Sequence, residues 1–131
     1  MLRVSSPLTS DQERIVESVV DCAFVVHREI GPGFRERIYQ RALCLEMDSR
    51  HLRFEAEKAV EVRFKDWLIP GQRVDLIVED IVLVEIKSIP MLKSLHRAQV
   101  VSYLKTTGLR VGLLINFNVE FIKNGLKRIV K

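Results

Sequence analysis

The sequence is poor in the features that announce several large protein classes. Its two cysteines, Cys22 and Cys44, fall inside predicted helices with neither metal-type spacing nor a disulfide framework, which predicts inert thiols. No window approaches the ~18 consecutive apolar residues of a membrane span, so no segment is expected to cross a bilayer. The N-terminal stretch MLRVSSPLTSDQERIV has Arg3 but no apolar run before the polar SDQE, which is not a secretory pattern and predicts a cytoplasmic location. Aromatic residues make up 7% of the chain, with one tryptophan, so no interleaved basic and aromatic surface of the single-strand-binding kind is expected. Trp67, which follows a turn, is expected to lie over the core.

What remains is an ordinary folded composition. At 131 residues, 47% hydrophobic and 29% charged, the chain suits one domain spanning 1–131. A net charge of +4 favours polyanionic partners only mildly. Basic residues gather in three places: Arg35, Arg37 and Arg41; Lys93 and Arg97; and Lys123, Lys127, Arg128 and Lys131. By charge alone these are a solvated surface.

Apolar spacing predicts a helix over Thr9 to Ile30, opened by a capping pair of Ser10 and Glu13 and stopped by Gly31-Pro32. A second helix is predicted from Phe34 to Arg50, with Tyr39, Leu43 and Met47 on one stripe, Ile38, Ala42 and Leu45 beside it, and Glu36 projecting along the same stripe. From Phe54 to Phe64 the pattern alternates as in a strand, and KDWLIPGQ is expected to be a turn at Pro70-Gly71. Arg73 to Glu79 and Ile81 to Ile89 read as an antiparallel hairpin of interior strands around Glu79-Asp80. A helix over Leu92 to Thr107 closes at Gly108, and Arg110 to Phe117 is a buried strand. Asn124-Gly125 signals a C-terminal hairpin between EFIK and LKRIVK. The order α, α, β, β, β, α, β, β predicts an α/β sandwich with a mixed central sheet flanked by helices.

Charges in the most apolar stretch, RVDLIVEDIVLVEIKSIP, need a reason, because an unpaired buried ion costs several kcal/mol. Alternation puts Leu83, Glu85 and Lys87 on one face, and a hairpin around Glu79-Asp80 brings Asp75 opposite Glu85 or one residue away. Two carboxylates so close repel unless a cation lies between them. With oxygen ligands and no His or Cys nearby, Mg²⁺ or Mn²⁺ is the expected ion, and Lys87 could then orient the attacking water and offset phosphate charge. Alone, the Glu85-Lys87 pair would be an ordinary salt bridge. Its company raises the odds: Asp75, Glu36, and a polar helix row of His96, Gln99 and Tyr103 beside Leu95, Val100, Val101 and Leu104. His27 and His51 read as structural, and His96 is a candidate phosphate contact.

The segment GFRERIY, with Gly33, Glu36 and Tyr39, resembles the motif that names the GxxExxY family of the PD-(D/E)XK nuclease superfamily. The similarity continues through GQRVDLIVE, VLVEIKSI, HRAQVVSYL and GLRVGLLINFN, from about Ile15 onward. It implies a restriction-endonuclease-like αβββαβ core, with an extra N-terminal helix and the C-terminal hairpin. It also implies that Asp75, Glu85 and Lys87 are the D…ExK triplet. Glu36 would complete the metal site, Ile86 would lend its backbone carbonyl, and Gln99 and Tyr103 would position metal site and substrate. Val74 stands where the pattern has proline before the aspartate, which leaves the carboxylate ligand intact.

The expected function is metal-dependent hydrolysis of nucleic-acid phosphodiesters, with DNA favoured. Arg35, Arg37, Lys93, His96 and Arg97 would meet the phosphate backbone. A one-domain nuclease cutting two strands would often be a homodimer. The alternatives are a non-cleaving nucleic-acid- or protein-binding module with the same fold, or a scaffold whose charges form an internal salt-bridge network.

Overall fold

The structure, a computed structural model, describes residues 6–131. Its elements are α1 (Ser10–Ile30), α2 (Glu36–Ser49), β1 (Phe54–Phe64), β2 (Trp67–Val78), β3 (Val82–Lys87), α3 (Ser94–Thr107), β4 (Val111–Asn116), a 3-10 turn at Ile122–Asn124, and β5 (Leu126–Val130). The strands form one sheet in the order β1-β2-β3-β4-β5, antiparallel except for the parallel pair β3-β4, which α3 connects. Alternation gives the sheet two apolar faces. On one, Leu76, Val78, Val82, Val84, Ile86, Leu113 and Ile115 pack under α1 and α2. On the other, Ile77, Leu83 and Leu114 pack against Val100, Tyr103 and Leu104 of α3. The α2-β1-β2-β3-α3-β4 core, preceded by α1 and followed by β5, is the restriction-endonuclease-like arrangement expected. No helix among the described residues is long and apolar enough to cross a membrane.

Several boundaries differ from the sequence expectation, each for a local reason. The capping box of α1 is Thr9 with Gln12, not Ser10 with Glu13. Thr9 Oγ1 accepts from the Gln12 N–H at 3.1 Å, and Gln12 Oε1 accepts from the Thr9 N–H at 2.9 Å. Glu13 is thereby free to bind the Arg128 guanidinium of β5, whose Nη1 donates at 2.8 Å. With Arg128 and the Ser6 hydroxyl beside it, the Glu13 carboxyl is held at about 2. A depressed carboxyl contributes stability above its unfolded value and loses it as pH falls through the folded one. Melting temperature should therefore fall between pH 4.5 and about 2. Glu13→Gln should flatten that acid limb in a thermal-melt series, and an unchanged slope would rule the pair out.

The WLIPGQ segment is strand rather than turn. The chain reverses at Lys65-Asp66, and Pro70-Gly71 form a bulge opposite Glu61, between the pairs Val60-Gln72 and Val62-Ile69. Proline is tolerated because β2 pairs with β3 only over Leu76–Val78, so this half has no strand partner on that side among the described residues. Trp67 does not cover the core; it is exposed on the ribbon that results. At the other end, β5 pairs with β4 rather than with EFIK, and the 3-10 turn fills the link. Gly125 is required there by space, since a Cβ would stand 2.1 Å from the Asn116 carbonyl oxygen. Helices α2 and α3 start two residues later than predicted, at Glu36 and Ser94, and β3 ends at Lys87. Ile38, Leu45, Leu95 and Val101 are exposed, because each helix presents a narrower stripe to the sheet than its apolar content suggests.

Candidate active site

The hairpin of β2 and β3 turns at Glu79-Asp80, where both residues adopt positive φ, 54° and 56°, and Ile81 N–H donates to the Val78 carbonyl at 2.9 Å. Two successive left-handed residues make the tight turn whose twist matches antiparallel strands. The pairs Val78-Val82, Ile77-Leu83 and Leu76-Val84 follow, and the same register continued would set Asp75 opposite Glu85. The ladder stops there. Instead of a strand partner, the Ile86 N–H finds the Asp75 carboxylate, donating to Oδ2 at 2.7 Å. Because the N–H and carbonyl of a strand residue point to the same side, the Ile86 carbonyl is directed to the β2 side of β3 as well.

Glu85 is buried, with Lys87 Nζ 3.1 Å from its Oε2 and the Asp75 charge acting on it from β2. Burial and then the Asp75 charge push the Glu85 carboxyl up to about 7, with Lys87 opposing. Burial also raises Asp75, against the Ile86 N–H that favours its ionised form. Two carboxylates that both resist ionisation, with one ammonium beside them, lack positive charge. A divalent cation would supply it, and a pair of carboxylates with a nearby backbone carbonyl is a donor set suited to Mg²⁺ or Mn²⁺.

On α3, the row of polar residues is real but graded. Tyr103 is buried, Gln99 and His96 are half-buried, and all three lie on the side of the helix that carries Val100 and Leu104 toward the sheet. Gln99 Nε2 donates to the Tyr103 hydroxyl at 2.9 Å. Gln72 Nε2 of β2 donates to the same oxygen at 2.9 Å. Burial and then the Glu85 charge raise the Tyr103 phenol, so its ring stands within electrostatic reach of the carboxylates. His96 Nδ1 accepts from the Lys93 N–H at 2.9 Å and so closes the first turn of α3. Lys87, His96 and Gln99 line one open cavity of about 440 Å³ with Leu95, Ala98 and Ser102.

Glu36 is placed differently from the expectation. It is the first residue of α2, exposed rather than on the buried stripe, and it shares a cleft with Arg35, Arg37, Ser88 and Asn118. Its charge raises Asp75, but among the described residues no group of three or more His, Cys, Asp or Glu side chains converges as a metal cage. The cause is the N-cap at Arg35, which puts Glu36 at the helix mouth and Tyr39 inside. Arg35, Arg37, Lys93 and Arg97 are exposed, and none belongs to an ion pair among the described residues.

Two residues were missed from the sequence. Gln72 follows the bulge, and nothing in its neighbours shows that it would reach α3. Buried Asn116 accepts from the Ile89 N–H at 3.1 Å through Oδ1 and donates to the Ile89 carbonyl at 3.0 Å, so it holds the chain as it leaves β3. An amide at the end of an otherwise apolar strand, in LLINF, was its available signal. His27, read from the sequence as structural, sets its Nε2 2.7 Å from the Val119 carbonyl.

A sequence model of the PD-(D/E)XK nuclease superfamily matches residues 13–129. No curated protein and no solved structure matches the chain.

Proposed function

The chain belongs to the PD-(D/E)XK nuclease superfamily, and from that premise we propose that it is a metal-dependent phosphodiesterase of the GxxExxY kind, acting on nucleic acid and on DNA by preference. One observation carries this: Asp75, Glu85 and Lys87 converge at the point where β2 and β3 part, in a buried setting that leaves the two carboxylates short of positive charge. A salt-bridge scaffold would have matched its charges. The Asp75 and Glu85 carboxylates and the Ile86 carbonyl would hold Mg²⁺ or Mn²⁺, with Glu36 joining from the mouth of α2. When bound, the ion supplies a water of lowered pKa and a Lewis acid for the phosphate oxygens.

The remaining chemistry belongs to the chain's own residues. Lys87, held on a strand beside Glu85, places a fixed positive charge where negative charge grows on the phosphorus-bound oxygens, and donates to the attacking water. Tyr103 and Gln99 form the wall of the site and fix its shape on the α3 side, with Gln72 locking the Tyr103 hydroxyl from β2. Arg35 and Arg37 at one helix mouth, and Lys93, His96 and Arg97 at the other, neutralise backbone phosphates without reading sequence.

The test is incubation of the purified protein with single-stranded, duplex and branched DNA and with RNA, in Mg²⁺ or Mn²⁺. Cleavage of DNA that stops with chelator is the expected result. Saturable metal binding with no cleavage of any of the four polymers would overturn it and leave a binding module.

A further inference from the structure

From Arg73 back to the Lys65-Asp66 turn, β2 has β1 as its only strand neighbour among the described residues, so the two continue as a bare ribbon from Glu61 to Gln72 in which every residue is exposed. The pairs Val62-Ile69 and Phe64-Trp67 set four apolar side chains on one face of this ribbon, with Arg63 and Leu68 on the other. Their exposures are 41% for Val62, 49% for Ile69, 57% for Phe64 and 72% for Trp67. Scattered single hydrophobics need no explanation, but these are contiguous. With aromatic side chains offering ~150–250 Å² and aliphatic ones somewhat less, the face amounts to an apolar patch on the order of 400 Å², in the range of functional patches on monomers.

We infer that this face is an interface with a second copy of the chain, packed across a twofold axis. Charge excludes a polyanion as the preferred occupant: the ribbon carries Glu61 and Asp66 against Arg63 and Lys65, which leaves it without the positive excess that phosphate neutralisation needs. It is instead self-complementary. A twofold contact brings the same patch against itself, and the Lys65-Asp66 turn of one copy can meet that of the other with opposite signs aligned. The size also fits. A standard interface covers roughly 800 Å² per partner, a little over half of it apolar, which is about the apolar area on offer here. Pro70 and its bulge keep a further strand from adding to the β2 edge, so the contact is face to face.

The single tryptophan is itself the reporter. Light scattering and sedimentation of the full chain should give twice the chain mass in the micromolar range, with Trp67 emission moving to the blue as concentration rises. Trp67→Lys and Phe64→Lys should each yield a monomer with unchanged circular dichroism, because neither side chain supports the core. Leu45→Lys, at a comparably exposed apolar site on α2, should leave the dimer intact. Asp66→Cys should form an intermolecular disulfide under mild oxidation, without competition from Cys22 and Cys44, which are buried. A monomeric wild-type protein, or a Trp67→Lys variant that still dimerises, would overturn the inference. Quenching of Trp67 by added DNA in a monomeric protein would overturn it too, and would give the face to nucleic acid.

Discussion

Lys87→Ala is expected to lower the rate of DNA cleavage by about 10²- to 10³-fold, the usual effect of removing one preorganised donor from a transition-state charge. The ammonium is well placed for this size of effect. It lies on a strand, its side chain is largely shielded, and Glu85 holds it at 3.1 Å, so its position costs no reordering when the phosphate arrives. The loss should appear in kcat, with KM for DNA little changed, since on the proposed reading phosphate affinity would rest on the arginines and lysines at the helix mouths. Initial-rate kinetics on one DNA substrate, with thermal melts in parallel to confirm folding, would measure it. A variant that cleaves at the wild-type rate would remove Lys87 from the chemistry and leave it as the partner of Glu85.

The second large effect concerns Tyr39. Its ring is fully buried and stacks on Phe117 with centroids 4.5 Å apart and planes 7° from parallel. Its hydroxyl donates to the Gly31 carbonyl at 2.6 Å and accepts from the Phe34 N–H at 3.2 Å. The tyrosine thus clamps the 31–34 loop, in which Gly31 and Gly33 take positive φ of 69° and 99°. The same loop receives the Ser88 hydroxyl on its Phe34 carbonyl, which ties it to the residue after Lys87. Tyr39→Ala should therefore cost about 3–5 kcal/mol, as large aromatic truncations in cores do. For a chain of this size that is a fall in melting temperature of roughly 10–20 °C. Tyr39→Phe keeps the stacking and should cost about 0.5–1.5 kcal/mol for the lost hydrogen bond. Equal destabilisation by the two variants in calorimetry would show that the hydroxyl, not the ring, carries the stability.

Much of this was legible before any coordinates. Period-two alternation in VLVEIK settles that Glu85 and Lys87 share a face, because successive strand side chains point to opposite sides whatever packs around them. The Glu79-Asp80 turn likewise sets the hairpin register, since a tight turn leaves few pairings, and register brings Asp75 to Glu85. The helices and their stops follow from spacing and from glycine and proline. These are properties of adjacent residues.

Other features depended on where distant elements dock. Glu36 and Tyr39 are three apart on one predicted stripe, yet one is exposed and the other buried, because the helix begins at Glu36 and the sheet lies under only part of it. Trp67 looks like core by composition but is exposed, since β3 is too short to accompany β2 to its end. Gln72 reaches Tyr103 across 31 positions of sequence, through a bulge that spacing rules read as a turn. Alternation and turn chemistry can say which side chains share a face. Which face is covered, by what, and how far a ribbon runs past its neighbour is decided by packing between segments far apart in the chain, and for that only the folded arrangement has the information.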